Sequence, residues 1–231
     1  MRYLRSFIFD AVFYSFSCVF FIVFFPFIFI LKEPFVLRVY FAFAKCQEFF
    51  MKALLNLTFD IKGKEILNQL KGQNYIIAMQ HQSAFDTIIP PLFLSNFILI
   101  LKRELFYIPF FGFYLKKLPS IFLKRKAGIS SLKHLLQLAT YHFNRGKNIL
   151  IYPEGTRQSP YIPTKCQPGI FVIYKGLNCK VLPVTLNSGI FWPKKAKIKW
   201  GGHIAIQIHP PLQEGLSKAE LLSTLDNLYN T

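Results

Sequence analysis

From Ala11 to Leu31 the chain runs for 21 residues without a charged side chain, with Arg2, Arg5 and Asp10 before the run and Lys32 and Glu33 after it. As a helix rising 1.5 Å per residue, it reaches roughly 30 Å, the thickness of a bilayer's hydrocarbon core. Pro26 lies inside the run and predicts a kink or a turn, because proline has no N–H for the helical ladder. The run is longer than a signal peptide's apolar region and has no evident small-residue cleavage site. Both flanks carry basic residues, so the positive-inside rule does not set an orientation. A full span and a segment that enters and returns on one side both fit.

The pattern changes from Pro34 to Leu57. Arg38, Lys45, Glu48 and Lys52 share one helical face, and Phe35, Val39, Phe43, Phe50 and Leu54 lie mostly elsewhere on the helix. A helix with one basic and one aromatic face suits a membrane interface. Packing against a domain is the alternative. Residues 1–57 are therefore expected to form an N-terminal membrane-anchoring helical hairpin, followed by a domain over residues 58–231.

Beyond residue 58, short apolar strands alternate with helices. Tyr75–Met79, Phe97–Leu101, Asn148–Tyr152, Val181–Leu186 and His203–Ile208 read as strands. Ser130 to Arg145 reads as an amphipathic helix with Leu132, Leu135, Leu136, Ala139 and Phe143 on its apolar stripe. Ser130 or Ser131 would cap it, and Gly146 would stop it. Ser217 to Tyr229 reads as a closing helix with a Ser217/Glu220 capping box. This alternation predicts an α/β layered domain whose site lies at the carboxyl ends of its strands.

Composition narrows the partners. The chain of 231 residues is 52% hydrophobic with 27 phenylalanines, and its 28 Lys+Arg against 11 Asp+Glu give a formal charge of +17. That excess implies an anionic partner. No nucleic-acid-binding module accompanies it, so an anionic membrane surface is the expected partner and nucleic acid is not. Cys18, Cys46, Cys166 and Cys179 have no CxxC spacing and read as free thiols in a reducing compartment.

Three segments carry chemistry. The first is Gln80-His81-Gln82-Ser83-Ala84-Phe85-Asp86. On one continuous helix, positions five apart diverge by about 140°, so His81 and Asp86 meet only across a strand-to-helix bend, with Ser83 as the helix cap. A carboxylate on one imidazole nitrogen would fix the tautomer and free the other nitrogen to accept a hydroxyl proton. Read by spacing alone, a Ser83/Asp86 capping box with His81 as a loop residue is the alternative, and spacing favours it. The second segment is Tyr152-Pro153-Glu154-Gly155-Thr156-Arg157. There Gly155 permits a tight loop, Arg157 offers a planar fork for phosphate, and Glu154 would position a substrate hydroxyl or hold Arg157. A surface turn with a Glu–Arg pair is the alternative. The third segment, Lys102 to Gly112 followed by Lys116, Lys117 and Lys124-Arg125-Lys126, is either a phosphate-binding wall or a solvated charged face.

Taken in order, these segments resemble the 1-acylglycerol-3-phosphate acyltransferase family, within the glycerolipid acyltransferases. The family's His-x4-Asp block matches His81 and Asp86. Its second block matches Lys102, Glu104, Leu105, Pro109 and Gly112, followed by Phe122 and Arg125. Its aromatic-Pro-Glu-Gly-Thr-Arg block is complete from Tyr152 to Arg157. Its fourth matches Leu182-Pro183-Val184 and Asn187-Ser188-Gly189. The chain departs at Lys124, where the family often carries Asp, at Gln80 in place of a common Asn, and at Cys166-Gln167-Pro168.

The resemblance implies a glycerolipid acyltransferase fold, a layered mixed α/β sheet flanked by helices. It implies transfer of a fatty acyl group from acyl-CoA or acyl-carrier protein to the sn-2 hydroxyl of 1-acylglycerol 3-phosphate, forming phosphatidic acid. His81 would be the general base and Asp86 its partner. Lys102, Arg125, Glu154, Gly155, Thr156 and Arg157 would bind substrate, with no metal and no cofactor beyond the donor. Glycerol 3-phosphate or another lysolipid as acceptor, or a non-catalytic membrane-binding protein, are the alternatives. The catalytic domain is expected at a membrane, on its cytoplasmic face.

Overall fold

The computed structural model describes residues 2–30, 32–123 and 128–230. Two long helices come first, α1 (Arg2–Phe24) and α2 (Glu33–Phe50). There follow β1 (Leu57–Lys62), α3 (Lys64–Gln69), β2 (Ile76–Met79), α4 (Phe85–Ile88) and β3 (Phe97–Lys102). Next come α5 (Phe111–Lys117), β4 (Ser120–Leu123), α6 (Gly128–Phe143) and β5 (Asn148–Ile151). The chain closes with α7 (Gly169–Leu177), β6 (Val181–Leu186), α8 (Ser188–Phe191), β7 (Gly202–Ile208) and α9 (Lys218–Tyr229).

The seven strands form one sheet in the order β1-β7-β6-β2-β5-β3-β4. Every neighbouring pair is parallel except β6 with β7, so the sheet is mixed. In β2 and β5 every residue is buried, as strands covered on both faces require, and their sequences are correspondingly apolar almost throughout. Alternation then divides the side chains between two layers. Ile77 and Met79 join a core with Phe9 of α1 and Val36, Phe43 and Ala44 of α2. Ile76 and Ala78 join a second core with Leu135 of α6, Ile170 of α7 and Leu221 of α9.

The five expected strands are present, with ends displaced by no more than one residue. The Ser217/Glu220 capping box is formed, Ser217 Oγ accepting from Glu220 N and the Glu220 carboxylate accepting from Ser217 N. Gly146 follows α6 with φ +78, a conformation glycine adopts without strain. The expected serine cap of α6 is corrected: the helix begins at Gly128, which puts Ser130 and Ser131 inside its first turn.

The apolar face expected for α2 is divided, Val39 and Phe43 packing on the protein as the alternative reading has it and Phe35 not. Its buried stripe is Val36, Val39, Phe43, Ala44 and Gln47, which packs on the protein, while Phe35, Phe41 and Phe49 are exposed. Phe43 meets Phe16, Phe20 and Phe21 of α1, and Gln47 Nε2 donates to Ser17 Oγ at 3.2 Å. The start of α1 is fastened to the segment between α8 and β7. Phe9 packs edge-on against Trp192 at 5.2 Å, and Lys199 Nζ pairs with Asp10 Oδ1 at 2.6 Å. Burying a phenylalanine contributes roughly 1.5–3 kcal/mol, whereas desolvation offsets much of the gain from a buried ion pair. The aromatic contact therefore supplies most of the hold. The rest of α1 is largely exposed, and Arg2–Phe29 is long and apolar enough to cross a membrane. Pro26 lies in a single turn of 3-10 helix, Phe25–Phe29, where the α-helix ends.

Candidate active site

Strand β2 stops at Met79, and the chain turns through Gln80 to Ser83 before α4 begins. This bend brings His81 Nδ1 to 3.1 Å from Asp86 Oδ2. Asp86 is fully buried, and its two oxygens take four donors. Oδ2 accepts from His81 Nδ1, from Gln82 N at 2.6 Å and from Ser83 N at 2.7 Å, and Oδ1 accepts from Ser188 Oγ at 2.5 Å. A carboxylate so placed selects the Nδ1–H tautomer and leaves Nε2 as an acceptor. Nε2 has no partner among the described residues, and His81 lines a cavity of about 820 Å³. Of the capping box that competed with this pairing on spacing, only the bond from Ser83 N to the Asp86 carboxylate is present, on the same oxygen that takes His81. Ser83 is not the cap residue, however: Ala84 occupies that position, and Ser83 Oγ accepts from Phe85 N at 3.2 Å.

The loop after β5 holds residue 81 from both sides. Glu154 Oε1 accepts from His81 N at 2.9 Å, and Gln158 N donates to His81 O at 2.8 Å. The Tyr152 ring stacks on the imidazole with centroids 4.2 Å apart, and its hydroxyl donates to Asp86 O at 2.8 Å. Gly155, at φ +71, makes the turn that reverses the loop, with its N–H donating to Tyr152 O. Thr156 and Arg157 then reach the cavity wall, where Lys102 arrives from the end of β3. Lys102 thus ends β3, and His81, Glu154 and Ser188 follow the carboxyl ends of β2, β5 and β6, the four being adjacent strands of one sheet.

The sequence reading of Glu154 is corrected. Its carboxyl lies beneath His81, only 2% exposed, and takes no part in an ion pair with Arg157. Burial pushes it up to about 8, with Asp86 and Asp226 adding to the rise and the His81 N–H opposing it. An unfolded glutamate loses its proton near 4.5. The folded state therefore binds more protons between pH 4.5 and about 8, and stability falls as pH rises through that window. Glu154→Gln keeps an oxygen for His81 N and stays neutral. Its melting temperature is expected to exceed that of the unaltered protein by roughly 5–10 °C at pH 8, and by little at pH 5. Parallel melting curves across that range would contradict this account of the carboxyl.

Arg125 lies outside the described residues. Three participants escaped the sequence reading: Ser188 as a donor to Asp86, Tyr152 as the ring beneath the imidazole, and Lys194. Lys194 lines the cavity and donates to Thr156 Oγ1 and Arg157 O, each at 3.1 Å. Its only signal in the sequence is the basic run Lys194-Lys195-Ala196-Lys197, which local pattern cannot tell from a solvated face.

Residues 58–187 match the acyltransferase family as a whole, a span that includes every one of these groups except Ser188 and Lys194. The chain belongs to the acyltransferase family. Similar to it are proteins named 1-acyl-sn-glycerol-3-phosphate acyltransferase from three organisms. That of Pseudomonas aeruginosa is 30% identical over 161 residues, covering 70% of this chain and 62% of the relative. That of Borreliella burgdorferi is 29% identical, covering 69% and 66%. That of Saccharomyces cerevisiae is 27% identical, covering 77% and 59%. The matched stretch thus spans about three-fifths to two-thirds of these acyltransferases. The solved structure of the 1-acyl-sn-glycerophosphate (LPA) acyltransferase PlsC from Thermotoga maritima superposes with a TM-score of 0.79. It covers 100% of this chain and 95% of that one at 23% identity, so the mixed α/β fold with its N-terminal helices is shared.

Proposed function

We propose that this acyltransferase moves a fatty acyl group from a thioester to the sn-2 hydroxyl of 1-acylglycerol 3-phosphate, at a membrane surface, forming phosphatidic acid. The observation that carries the reading is the His81–Asp86 pair opening onto a mostly apolar cavity with Arg157 and Lys102 on its wall. Apolar walls suit acyl chains, and the cations suit the phosphate. His81 Nε2 takes the hydroxyl proton as the oxygen bonds to the thioester carbonyl carbon, and Asp86 stabilises the imidazolium. The carbon–sulfur bond then breaks, and the imidazolium returns the proton to the departing thiolate. Acyl-CoA or acyl-carrier protein supplies the thioester.

Residues 1–57 serve as the membrane attachment in this reading. Val19, Ile22, Phe27 and Phe29 are exposed, as are Phe110 of the loop after β3 and Phe113 of α5, and Phe25 touches the last two rings at 5.1 and 5.3 Å. Phe110 also lines the cavity, so an apolar surface surrounds part of its rim, as entry of a lipid from a bilayer requires. The catalytic groups then lie at headgroup depth, with the domain on the cytoplasmic face.

The test is thioester consumption by purified protein offered lysophosphatidate, glycerol 3-phosphate, lysophosphatidylcholine and monoacylglycerol, run beside Arg157→Ala. Lysophosphatidate is expected to be the preferred acceptor. The variant should raise its apparent KM about tenfold to a hundredfold with a smaller effect on kcat. Preference for glycerol 3-phosphate or an uncharged acceptor would replace this substrate assignment, and an unchanged KM would remove Arg157 from phosphate binding.

A further inference from the structure

Lys194 lies on the segment between α8 and β7, and that segment is fixed at both ends. Trp192 is buried against Phe9 and Phe13, with ring centroids at 5.2 and 5.3 Å. Lys199 Nζ pairs with Asp10, and Ser6 Oγ accepts from Lys199 N at 2.9 Å while donating to Lys199 O at 3.1 Å. Trp200 N donates to Phe191 O at 2.8 Å, closing the segment into a loop. Lys195, at φ +61, turns the backbone immediately after Lys194. The lysines of this run consequently differ in use. Lys199 is consumed by Asp10, and of the exposed Lys194, Lys195 and Lys197 it is Lys194 that lines the cavity wall.

The ammonium has three donors and no acceptor. Two reach Thr156 Oγ1 and Arg157 O, and one is left over beside the cavity. Neither Lys194 nor Arg157 has a carboxylate partner among the described residues, although both line the wall that carries His81. Two uncompensated cations on one rim repel each other, and an anion between them reverses the sign of that interaction. A hydroxyl and a carbonyl both face the lysine, so it is aimed and not neutralised.

We propose that Lys194 is a phosphate-binding residue, forming with Arg157 a two-cation clamp for a phosphate ester at the cavity wall. The inference rests on the proposed function, in which both substrates of the reaction carry phosphate. The phosphate is either that of the acceptor or one belonging to the donor's nucleotide or phosphopantetheine arm. A compact ammonium holds it as a point charge, and the guanidinium supplies the planar fork.

The test is equilibrium binding to the purified full chain in neutral detergent, comparing the unaltered protein with Lys194→Ala and Lys194→Arg. The probes are lysophosphatidate, monoacylglycerol of the same chain length, and palmitoyl-CoA. Lys194→Ala is expected to weaken lysophosphatidate or palmitoyl-CoA about tenfold to a hundredfold, to leave monoacylglycerol within about twofold, and Lys194→Arg to restore binding to within about threefold. A loss confined to lysophosphatidate assigns the clamp to the acceptor, and one confined to palmitoyl-CoA assigns it to the donor. Unchanged binding of both phosphate ligands overturns the proposal. So does an equal loss of monoacylglycerol, which would mark Lys194 as a mere tie for the Thr156–Arg157 loop. Because binding is read without turnover, failure of the acyl-transfer reading shows separately, as absence of thioester consumption by the unaltered protein.

Discussion

His81→Ala is expected to lower the proposed acyl transfer by about a thousandfold or more while the protein still folds and still binds vesicles. The imidazole is placed to accept the hydroxyl proton at the cavity: its Nδ1 is committed to Asp86, and among the described residues its Nε2 is free. The backbone of residue 81 is held independently of its side chain, by Glu154 Oε1 on its N–H and Gln158 N on its carbonyl. Asp86 keeps three of its four donors when the ring is removed. Loss of the imidazole should therefore remove proton transfer without releasing the loop. Thioester consumption measured beside melting temperature and vesicle flotation checks this. A variant with near-normal turnover would remove His81 from the chemistry, and one that melts early would show that the ring holds the fold.

What the sequence revealed of this site follows the range of the contacts involved. The His81–Asp86 pair spans five positions, so a strand-to-helix bend and the reach of two side chains are enough to foresee it. Ser188 lies 102 residues from Asp86, and Glu154 lies 73 from His81. Those contacts depend on β6 and β5 flanking β2, a strand order that no local periodicity encodes. The central strands were legible because burial on both faces leaves an unbroken apolar run. β1 and β4 occupy the two edges of the sheet, where burial is partial and the pattern correspondingly weak. In α2 the difficulty was physical of another kind. Lipid and protein core select the same side chains, so composition could not tell Val39 and Phe43, which pack on the protein, from Phe41 and Phe49, which do not.

Substituting Asp86 should separate its catalytic from its structural role. In Asp86→Asn the amide oxygen is expected to face Gln82 N, Ser83 N and the His81 ring, with the amide nitrogen turned to Ser188 Oγ, since a hydroxyl can accept where a backbone N–H cannot. The bend is then preserved, but the negative charge that stabilises the imidazolium is gone, and kcat should fall about a hundredfold to ten-thousandfold with KM nearly unchanged. Asp86→Ala removes the acceptor altogether. Two buried backbone N–H groups lose their partner, at a cost of about 1–3 kcal/mol each, so this variant should lose stability as well as rate. Thermal melts and steady-state kinetics on the two proteins distinguish the roles. If the asparagine variant melts as early as the alanine variant, the carboxylate acts mainly as a strut for the bend. If it retains full kcat, the imidazolium forms without its help, and the pairing of these two side chains is architecture, not chemistry.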